Sequence, residues 1–535
     1  MSENKSIAKS AAIMAIATFF SRIAGLLREQ TFAYVFGAGA LTDAFNVAFR
    51  IPNLLRDLFA EGAMSAAFVP TFNEALEKEG KERAFKITNL TICSIFLIVG
   101  FLTILGIIFS PEIVTAIAPK FVENPDKFAV TVTMTRIMFP FLLAISWAAI
   151  AMGILNSMGE FFIPAIAPVF LNLFMIIAGW TICPLAEKFN QPAITGMAIG
   201  AMLGGITQFA VQLPSLFKYG YRFKWRIDFS DPGLRKIFRL ILPGTIGLAA
   251  TQINVAISTI LSTSQGDGAV SWLSYSFRIM QLPLGLFGVA VAQATLPAIS
   301  KLAAKGDKEG MSETLCGSIR LSAFINLFAC FAMVALAEPI IRILFQHGRF
   351  TPADTIATAT ALKAYAVGLL FFSLIKILGP AFYALDNTKI PVIASITSVI
   401  VTIVLNLMLI NPCGYWGLAL STGIGAMFNF AILYIFIQKK LGKFSKYSLT
   451  AGIIKITIAT GIAGIAIYYS YNYLSAFTTN PNSFTNTCMI LLTASVIGTA
   501  ILAVIARILK IEEASQAFEL VKRKLIKPKR KETNN

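Results

Sequence analysis

Arginine side chains occur within long apolar stretches of this 535-residue chain. By windowing, about eleven of its 45 Lys and Arg residues lie in segments that otherwise have the composition of membrane-spanning helices. Arg22, Arg28, Arg56 and Arg278 fall near the middle of their segments. An arginine at the bilayer centre costs about 2.5–3.5 kcal/mol, so four cost about 10–14 kcal/mol together. Burial against lipid cannot offset that cost, whereas a wet cavity or a bound anion can.

The residue type indicates which anion would fit. A planar guanidinium suits bidentate contacts with phosphate, which points to a phosphorylated substrate. A structural alternative is internal ion pairing, of Arg56 with Glu61 or Asp57 and of Arg28 with Asp43. Cations outnumber the anions in these segments, so we expect some positive charge to stay uncompensated.

The elements that must position these arginines are broken or kinked helices. Arg22 and Arg28 are about 9 Å apart along a straight helix and about 120° apart around it, so they share a face only if the helix bends. Gly25 between them would permit a bend. Pro52 should kink or break the second helix, and such breaks are tolerated where the backbone lines a cavity. Pro283, which follows Arg278, should kink or break its helix in the same way.

Composition predicts an all-α polytopic membrane protein. Hydrophobic residues make up 56% of the chain and charged residues 13%, and the mean hydropathy is +0.73. Soluble domains are nearer one quarter charged. We expect about fourteen transmembrane helices. Their approximate ranges are 12–36, 43–74, 88–109, 129–155, 161–183, 193–217, 240–263, 269–299, 315–336, 354–384, 390–411, 416–437, 450–473 and 487–508.

The net charge of +18 is distributed as in a membrane protein rather than a nucleic-acid-binding one. With the N-terminus in the cytoplasm, about 29 Lys and Arg residues fall in cytoplasmic segments and about five in outer loops. This asymmetry predicts that both termini are cytoplasmic. The end of the chain, 511–535, is a basic cytoplasmic tail that is either a surface helix on anionic lipid or a solvated segment.

An internal repeat gives the expected architecture. A shift of about 227 residues aligns Phe49-Arg50-Ile51 with Phe277-Arg278-Ile279, and other landmarks follow in the same order. We therefore predict an N-lobe at 1–235 and a C-lobe at 236–445, each with six helices. Two further helices lie at 446–510. An even number of crossings makes the halves parallel repeats, with the ligand site between them and alternating access by rocking of the lobes.

Common catalytic and metal-binding patterns are absent from the sequence. The six cysteines include no CxxC pair, and His347 is the only histidine. The chain also lacks a Walker A loop, G-x-S-x-G and H-E-x-x-H. We therefore expect a transporter and not an enzyme.

Several polar or small residues have more than one reading. Gly196, Gly200 and Gly204 form a small-residue ridge, which favours packing within a lobe over a dimer interface. Asn172 and Asn406 can form hydrogen bonds between helices. Lys363 and Lys376 could face the cavity, extend to the membrane surface, or form ion pairs.

Three motifs resemble those of one known family. They are Ser21-Arg22-x-x-Gly25-x-x-Arg28, the long run from Asp43 through Arg50-Ile-Pro52, Arg56 and Glu61-Gly62 to Val-Pro70, and Tyr275-x-x-Arg278-x-x-Gln281-Leu-Pro283-x-Gly285. The long run is highly specific. With the length and helix number, it identifies the chain as similar to the MurJ (MviN) lipid II flippases of the multidrug/oligosaccharidyl-lipid/polysaccharide exporter superfamily.

The resemblance implies movement of lipid II, an undecaprenyl-pyrophosphate disaccharide-pentapeptide, from the inner to the outer leaflet of the bacterial inner membrane for peptidoglycan synthesis. It implies that Arg22, Arg28, Arg56 and Arg278 line the cavity and hold the pyrophosphate. The cavity or gating residues that we infer are Ser21, Gly25, Glu29, Asp43, Arg50, Pro52, Glu61 and Pro283. The last two helices would form a groove for the polyprenyl tail.

The sequence lacks the ligand that some relatives in the family use to bind a coupling ion. Some members bind sodium in the second lobe through a carboxylate on helix seven. No acid lies between Pro243 and Ser264 here, which leaves Asp386 as the candidate ligand for Na+ or another monovalent ion. We expect no other cofactor. The expected partners are lipid II, membrane lipids and cell-wall synthesis proteins.

Three alternatives remain open. A drug/cation antiporter of the same superfamily would need buried carboxylates, and a polyprenyl-phosphate enzyme would need a catalytic acid or base and acidic metal ligands. A flippase for another polyprenyl-pyrophosphate glycan has the same arginine chemistry and is disfavoured only by the family motif. We expect membrane potential to drive the transport, because no nucleotide-binding motif is present.

Overall fold

A computed structural model describes residues 2–57, 63–442, 449–478, 480 and 483–515, and within these ranges the side chains of 2–16, 63, 65, 66 and 242–250 are not described. All regular elements in the described part of the chain are helices. The all-α prediction is therefore confirmed. The described residues divide into two compact units, 1–272 with 345–354, and 273–344 with 355–535.

Unit 1 contains twelve α-helices, one 3-10 helix (Pro119–Glu123) and the first turn of a thirteenth α-helix in its described residues. The α-helices are α1 (Ser2–Phe36), α2 (Ala40–Arg56), α3 (Ala63–Lys78), α4 (Lys81–Ile108), α5 (Ser110–Ile117), α6 (Pro125–Met138), α7 (Phe141–Ser157), α8 (Phe162–Trp180), α9 (Ile182–Lys188), α10 (Thr195–Ala210), α11 (Leu213–Lys218), α12 (Pro232–Thr263) and α13 (Ala269–Pro283).

Unit 2 takes in the rest of α13, and a π-helical turn, Leu284–Gly288, joins that helix to the next. Its further helices are α14 (Val289–Ala304), α15 (Lys308–Ala335), α16 (Ala337–Phe345), α17 (Pro352–Ala366), α18 (Leu369–Ala384), α19 (Lys389–Cys413), α20 (Tyr415–Leu441), α21 (Leu449–Ala476) and α22 (Phe484–Ile508). The predicted lobe limits at 235 and 445 and the terminal segments at 446–510 and 511–535 stay predictions.

Helices that are long and apolar enough to cross a membrane account for most of the predicted spans. Among the described residues ten helices or continuous helix pairs qualify, and the bent pair α17 and α18 makes eleven. The three other predicted spans correspond to α1, to α2 with α3, and to α12, and each includes residues or side chains outside the described part. The count of fourteen is therefore not confirmed.

Glycines allow the closest helix contacts in both units. A Cβ on Gly200 of α10 would lie 2.4 Å from the Cβ of Ala178 on α8, and one on Gly204 would lie 2.8 Å from the Cα of Leu171. In unit 2, a Cβ on Gly417 of α20 would lie 2.8 Å from the carbonyl oxygen of Leu409 on α19. The small-residue ridge thus packs within its unit, as its spacing favoured.

The two prolines that were expected to kink or break their helices, Pro52 and Pro283, behave differently from each other. Pro52 is buried inside α2, which continues to Arg56, so the helix does not end at the proline. The next residues, 58–62, lie outside the described part. Pro283 ends α13 and is followed at once by the π-helical turn, a common cause of local bending.

Candidate functional site

Arg28 of α1 contacts three side chains. Its guanidinium donates to Oδ1 of Asn172 on α8 over 3.0 Å and forms an ion pair with Glu29, the next residue. Sδ of Met175 lies 3.9 Å from the same group. Both charged side chains are buried. The expectation of an uncompensated charge therefore does not hold for Arg28 in this conformation, because Glu29 supplies the opposite charge.

Asn172 ties this part of α1 to α8. Its Oδ1 accepts from Arg28, while its Nδ2 lies 3.4 Å from the carbonyl oxygen of Ser21. Gly25 leaves room for this amide, since a Cβ there would lie 3.8 Å from Nδ2 of Asn172. Asn172 is thus an interhelical hydrogen-bonding residue, as predicted, and it also orients a candidate substrate arginine. The sequence offered no signal for that second role.

Arg22 lies on a different side of α1. The helix is continuous from Ser2 to Phe36, so Arg22 and Arg28 keep the angular separation of a regular helix. Arg22 is exposed while Arg28 is buried. Gly25 therefore does not bring the two guanidinium groups to one face in this conformation.

Arg56 pairs with the residue that follows it. Its Nη2 lies 2.9 Å from Oδ1 of Asp57, and Oδ2 of Asp57 accepts from the amide of Gln252 on α12 over 3.3 Å. Arg56 remains partly exposed, with 20% of its side-chain surface accessible. Of the two partners considered for Arg56, Asp57 is the one found, and Glu61 lies outside the described residues. Arg50, on the same helix, is half-buried.

Asp43 caps another helix and does not pair with Arg28. Its fully buried carboxylate accepts from the backbone N–H groups of Gly268 and Ser271 over 2.7 and 2.9 Å, and from Oγ of Ser271 over 2.6 Å. These groups begin α13, so Asp43 satisfies donors that the first turn leaves unpaired. The alternative pair of Arg28 with Asp43 is therefore wrong for this conformation.

Lys127 joins the same cluster. Its Nζ lies 3.8 Å from Oδ2 of Asp43 and 2.6 Å from Oδ1 of Asp267, and it stands 3.9 Å from the ring centroid of Phe121. Sequence reasoning missed Lys127, because it falls just before the predicted span at 129–155, where a lysine is typical of a solvated loop. Only the tertiary structure places it beside a buried carboxylate.

The arginine of α13 is exposed. Arg278 lies five residues before Pro283 and the π-helical turn, on the part of α13 that belongs to unit 2. Lys363 of α17 and Lys376 of α18 are also exposed. Asp386 follows α18 in an exposed turn with φ of +53°. No cluster of three or more His, Cys, Asp or Glu side chains suited to a metal ion occurs among the described residues.

Comparisons of the sequence with known proteins indicate the family of this chain. The family model described as lipid II flippase MurJ matches residues 32–493. A probable lipid II flippase MurJ from Vibrio cholerae is 37% identical over 439 residues, which cover 81% of this chain and 83% of that protein. A lipid II flippase MurJ from Burkholderia cenocepacia is 36% identical over 427 residues, covering 79% and 82%.

Solved structures give the same result for the fold. A lipid II flippase MurJ in an inward closed conformation matches with a TM-score of 0.76 and 28% identity, covering 92% of this chain and 98% of that one. An inward-facing multidrug resistance MATE family transporter of the MOP superfamily matches with a TM-score of 0.65 and 15% identity, covering 82% and 99%. The second likeness concerns the fold alone. With buried and exposed arginines on apolar helices and a family match across most of its length, this multi-pass membrane chain belongs to the MurJ lipid II flippase family.

Proposed function

We propose that this chain moves lipid II from the inner to the outer leaflet of the bacterial inner membrane by alternating access. Family membership supports the substrate, and the exposed residues Arg22 and Arg278 on otherwise apolar helices support its chemistry. Arginine is costly in hydrocarbon, and a pyrophosphate passing along these helices offers it a favourable anionic contact. Binding by planar guanidinium groups is then strong and oriented.

In this proposal the arginines have two roles. Arg22 and Arg278 meet the pyrophosphate directly. Arg28 and Arg56 pair with Glu29 and Asp57, and in the proposal they exchange these carboxylates for phosphate oxygens when lipid II enters. The exchange keeps each guanidinium paired at every stage, which avoids the cost of a bare buried cation.

Lipid II translocation in vesicles tests the proposal. The purified chain is reconstituted with labelled lipid II, and the fraction that becomes accessible from the opposite side is followed with time. We expect Arg278→Ala to abolish transport without loss of membrane insertion. Arg239→Ala is the matched control, because Arg239 is an exposed arginine near the start of α12 with no assigned role at the substrate, and it should transport normally. Full activity of Arg278→Ala would remove its role at the pyrophosphate.

Depletion in cells separates the substrate alternatives. If the chain is a lipid II flippase, its depletion leaves lipid II on the inner leaflet and stops peptidoglycan growth. A flippase for another polyprenyl-pyrophosphate glycan would leave lipid II distribution unchanged while that glycan's precursor accumulates. A drug/cation antiporter would change drug sensitivity and leave both precursors in place. Both termini in the cytoplasm and contacts with cell-wall synthesis proteins remain part of the proposal.

A further inference from the structure

An extended segment between α11 and α12 alternates basic and apolar residues. It reads Tyr221-Arg-Phe-Lys-Trp-Arg-Ile-Asp-Phe229, and its backbone forms neither helix nor strand over 221–228. We call residues 221–229 the basic–aromatic strap. Apart from Tyr221, the side chains of the strap are exposed, including Trp225 at 55%. Exposed aromatic and cationic residues side by side are typical of a membrane–water interface.

One buried side-chain amide on α4 forms hydrogen bonds with the strap. Oδ1 of Asn89 accepts from the hydroxyl of Tyr221 over 2.7 Å and from the backbone N–H of Lys224 over 3.2 Å, and its Nδ2 lies 3.4 Å from the carbonyl oxygen of Arg222. The backbone N–H of Arg226 lies 3.4 Å from Sγ of Cys93, one turn further along α4. The strap therefore has a defined course along this helix.

That course follows a side of α4 that unit 1 covers only in part, since Phe96 stacks on Trp147 of α7 but stays 38% exposed. At intervals of three or four residues, the same face continues beyond the strap with the exposed side chains of Phe96, Ile104 and Ile108. In a membrane-spanning helix, such an exposed apolar stripe faces lipid. Asn89 and Cys93, on the same stripe, are covered by the strap and buried. The strap thus occupies a position that lipid would otherwise fill.

Two aromatic residues of the strap contact α4, and three cations alternate with them in the sequence. Tyr221 is buried, and the ring of Trp225 lies 5.4 Å from that of Phe96 in an edge-on contact, so these two side chains lie on the α4 side. Arg222, Lys224 and Arg226 are exposed, and the guanidinium of Arg222 lies 5.7 Å from the ring centroid of Phe217. None of these three has an ion-pair partner within the described residues.

We propose that the strap binds anionic phospholipid of the leaflet on its own side of the membrane, the cytoplasmic leaflet in the predicted topology. The three cations contact lipid phosphates, while Phe223 and Trp225 lie among the headgroups and upper acyl chains. Irregular backbone on the lipid-facing side of a helix is tolerated only where water or polar headgroups can hydrogen-bond to it. Two acids lie close to these cations in the sequence: Asp228 of the strap accepts from the backbone N–H of Ser230 over 2.9 Å, and Asp231 is paired with Arg83.

Quenching of Trp225 by brominated lipid tests this site without measuring transport. The full chain is placed in nanodiscs of phosphatidylcholine that contain either brominated phosphatidylglycerol or brominated phosphatidylcholine. The signal of Trp225 is the difference between the wild type and Trp225→Phe. We expect half-maximal quenching at a fivefold or more lower mole fraction of the anionic lipid, because each basic residue near an anionic surface contributes about fivefold in affinity.

Two variants and a matched control decide the outcome. The triple change Arg222→Gln, Lys224→Gln and Arg226→Gln should remove the preference for phosphatidylglycerol, and so should Asn89→Ala, which releases the strap with its charges intact. Changing the exposed Lys301, Lys305 and Lys308 to Gln removes equal charge elsewhere and should leave the preference unchanged.

Three results would overturn the proposal. They are equal quenching by both lipids, a preference that survives the triple change, and competition by inorganic phosphate, which would indicate a site for free anions. Thermal unfolding in detergent shows whether each variant is folded. Because transport is not measured, a negative result here leaves the proposed lipid II flipping untouched.

Discussion

Arg28 with Glu29 and Arg56 with Asp57 are pairs of adjacent residues in a helical region. The side chains of adjacent helical residues point about 100° apart, so such a pair forms only when the two side chains turn toward each other. The geometry is poorer than that of a bidentate contact with phosphate. In the proposed mechanism a pyrophosphate displaces these carboxylates, and Glu29 is then a competitor of the substrate as well as a partner of Arg28.

Replacing Glu29 with Gln should raise the affinity for pyrophosphate-bearing lipid about threefold or more. The amide keeps the shape and a hydrogen-bond acceptor, but it removes the charge that competes for Arg28. Titration of lipid II into the detergent-solubilised protein measures the effect. Glu123→Gln, at an exposed residue paired with Lys120, is the control and should bind like the wild type. Unchanged or weaker binding by Glu29→Gln would contradict the competition.

At the scale of elements, helix ends and helix contacts depend on a few short-range features. Asp231 caps α12 by accepting from the backbone N–H of Gly233 over 2.9 Å, and the same carboxylate binds Arg83 at the start of α4 over 2.6 Å. One side chain therefore satisfies a helix end and joins two helices. In α8 and α10, contact depends instead on the absence of side chains at Gly200 and Gly204.

The Asp231–Arg83 pair predicts a pH-dependent stability. The guanidinium of Arg83 lowers the pKa of the Asp231 carboxyl below its ordinary value of 3.8. A lowered folded-state pKa means that the stabilisation is present above about pH 4 and is lost as the pH falls further. Asp231→Asn, which keeps a cap acceptor, should lower the free energy of unfolding by about 1–3 kcal/mol at pH 7.

Thermal unfolding in detergent at pH 7 and pH 3 measures this effect. The difference in stability between the wild type and Asp231→Asn should be smaller at pH 3 than at pH 7. Asp231→Ala loses the cap as well and should be less stable than Asp231→Asn at pH 7 by about 1 kcal/mol. A gap that is independent of pH would show that the ion pair contributes no stability.

Two glycine substitutions separate helix packing from helix propensity. Glycine to alanine in a helix is intrinsically favourable by about 1 kcal/mol. Gly100 on α4 has no other atom within 4 Å of an added Cβ, so Gly100→Ala should be neutral or stabilising. Gly200→Ala should destabilise by about 1–3 kcal/mol, because its Cβ would lie 2.4 Å from that of Ala178. The melting temperatures of both variants in detergent measure this, and equal values would disprove close α8–α10 packing.

At the scale of the whole molecule, charge transfer across the membrane offers a source of energy. If the headgroup carries two negative charges outward, an inside-negative potential favours the step by about 4.6 kcal/mol per 100 mV. The chain has no nucleotide-binding motif in its sequence, and the candidate ion ligand Asp386 is exposed in a turn. We therefore propose membrane potential as the driving force.

Lipid II translocation in vesicles should accelerate when an inside-negative potassium diffusion potential is imposed. The physical reason is that the pyrophosphate crosses part of the electric field with its charge. Collapse of the potential by an added conductance is the control and should return the rate to its starting value. Turnover that is indifferent to the potential would exclude this source of energy.

Much of this molecule was predictable from the sequence, because membrane insertion imposes simple rules. Apolar runs of about 20 residues must become helices when no water is present to satisfy the backbone, so the all-α class and most spans follow from hydropathy. The cost of arginine in lipid likewise singles out Arg22, Arg28, Arg56 and Arg278, and the motifs around them predicted the family.

Only the tertiary structure shows which carboxylate each cation pairs with and which charged side chains are buried. Glu29 rather than Asp43 neutralises Arg28, Asp43 caps α13, and Lys127 is buried beside it. Asp43 and Lys127 meet partners far away in the sequence, and for Arg28 several carboxylates were plausible, of which the adjacent one is found. Asn89 shows the same limit, because only the folded chain places residues 221–229 against its amide. Local pattern determines which residues enter the membrane, but packing determines what each charge contacts.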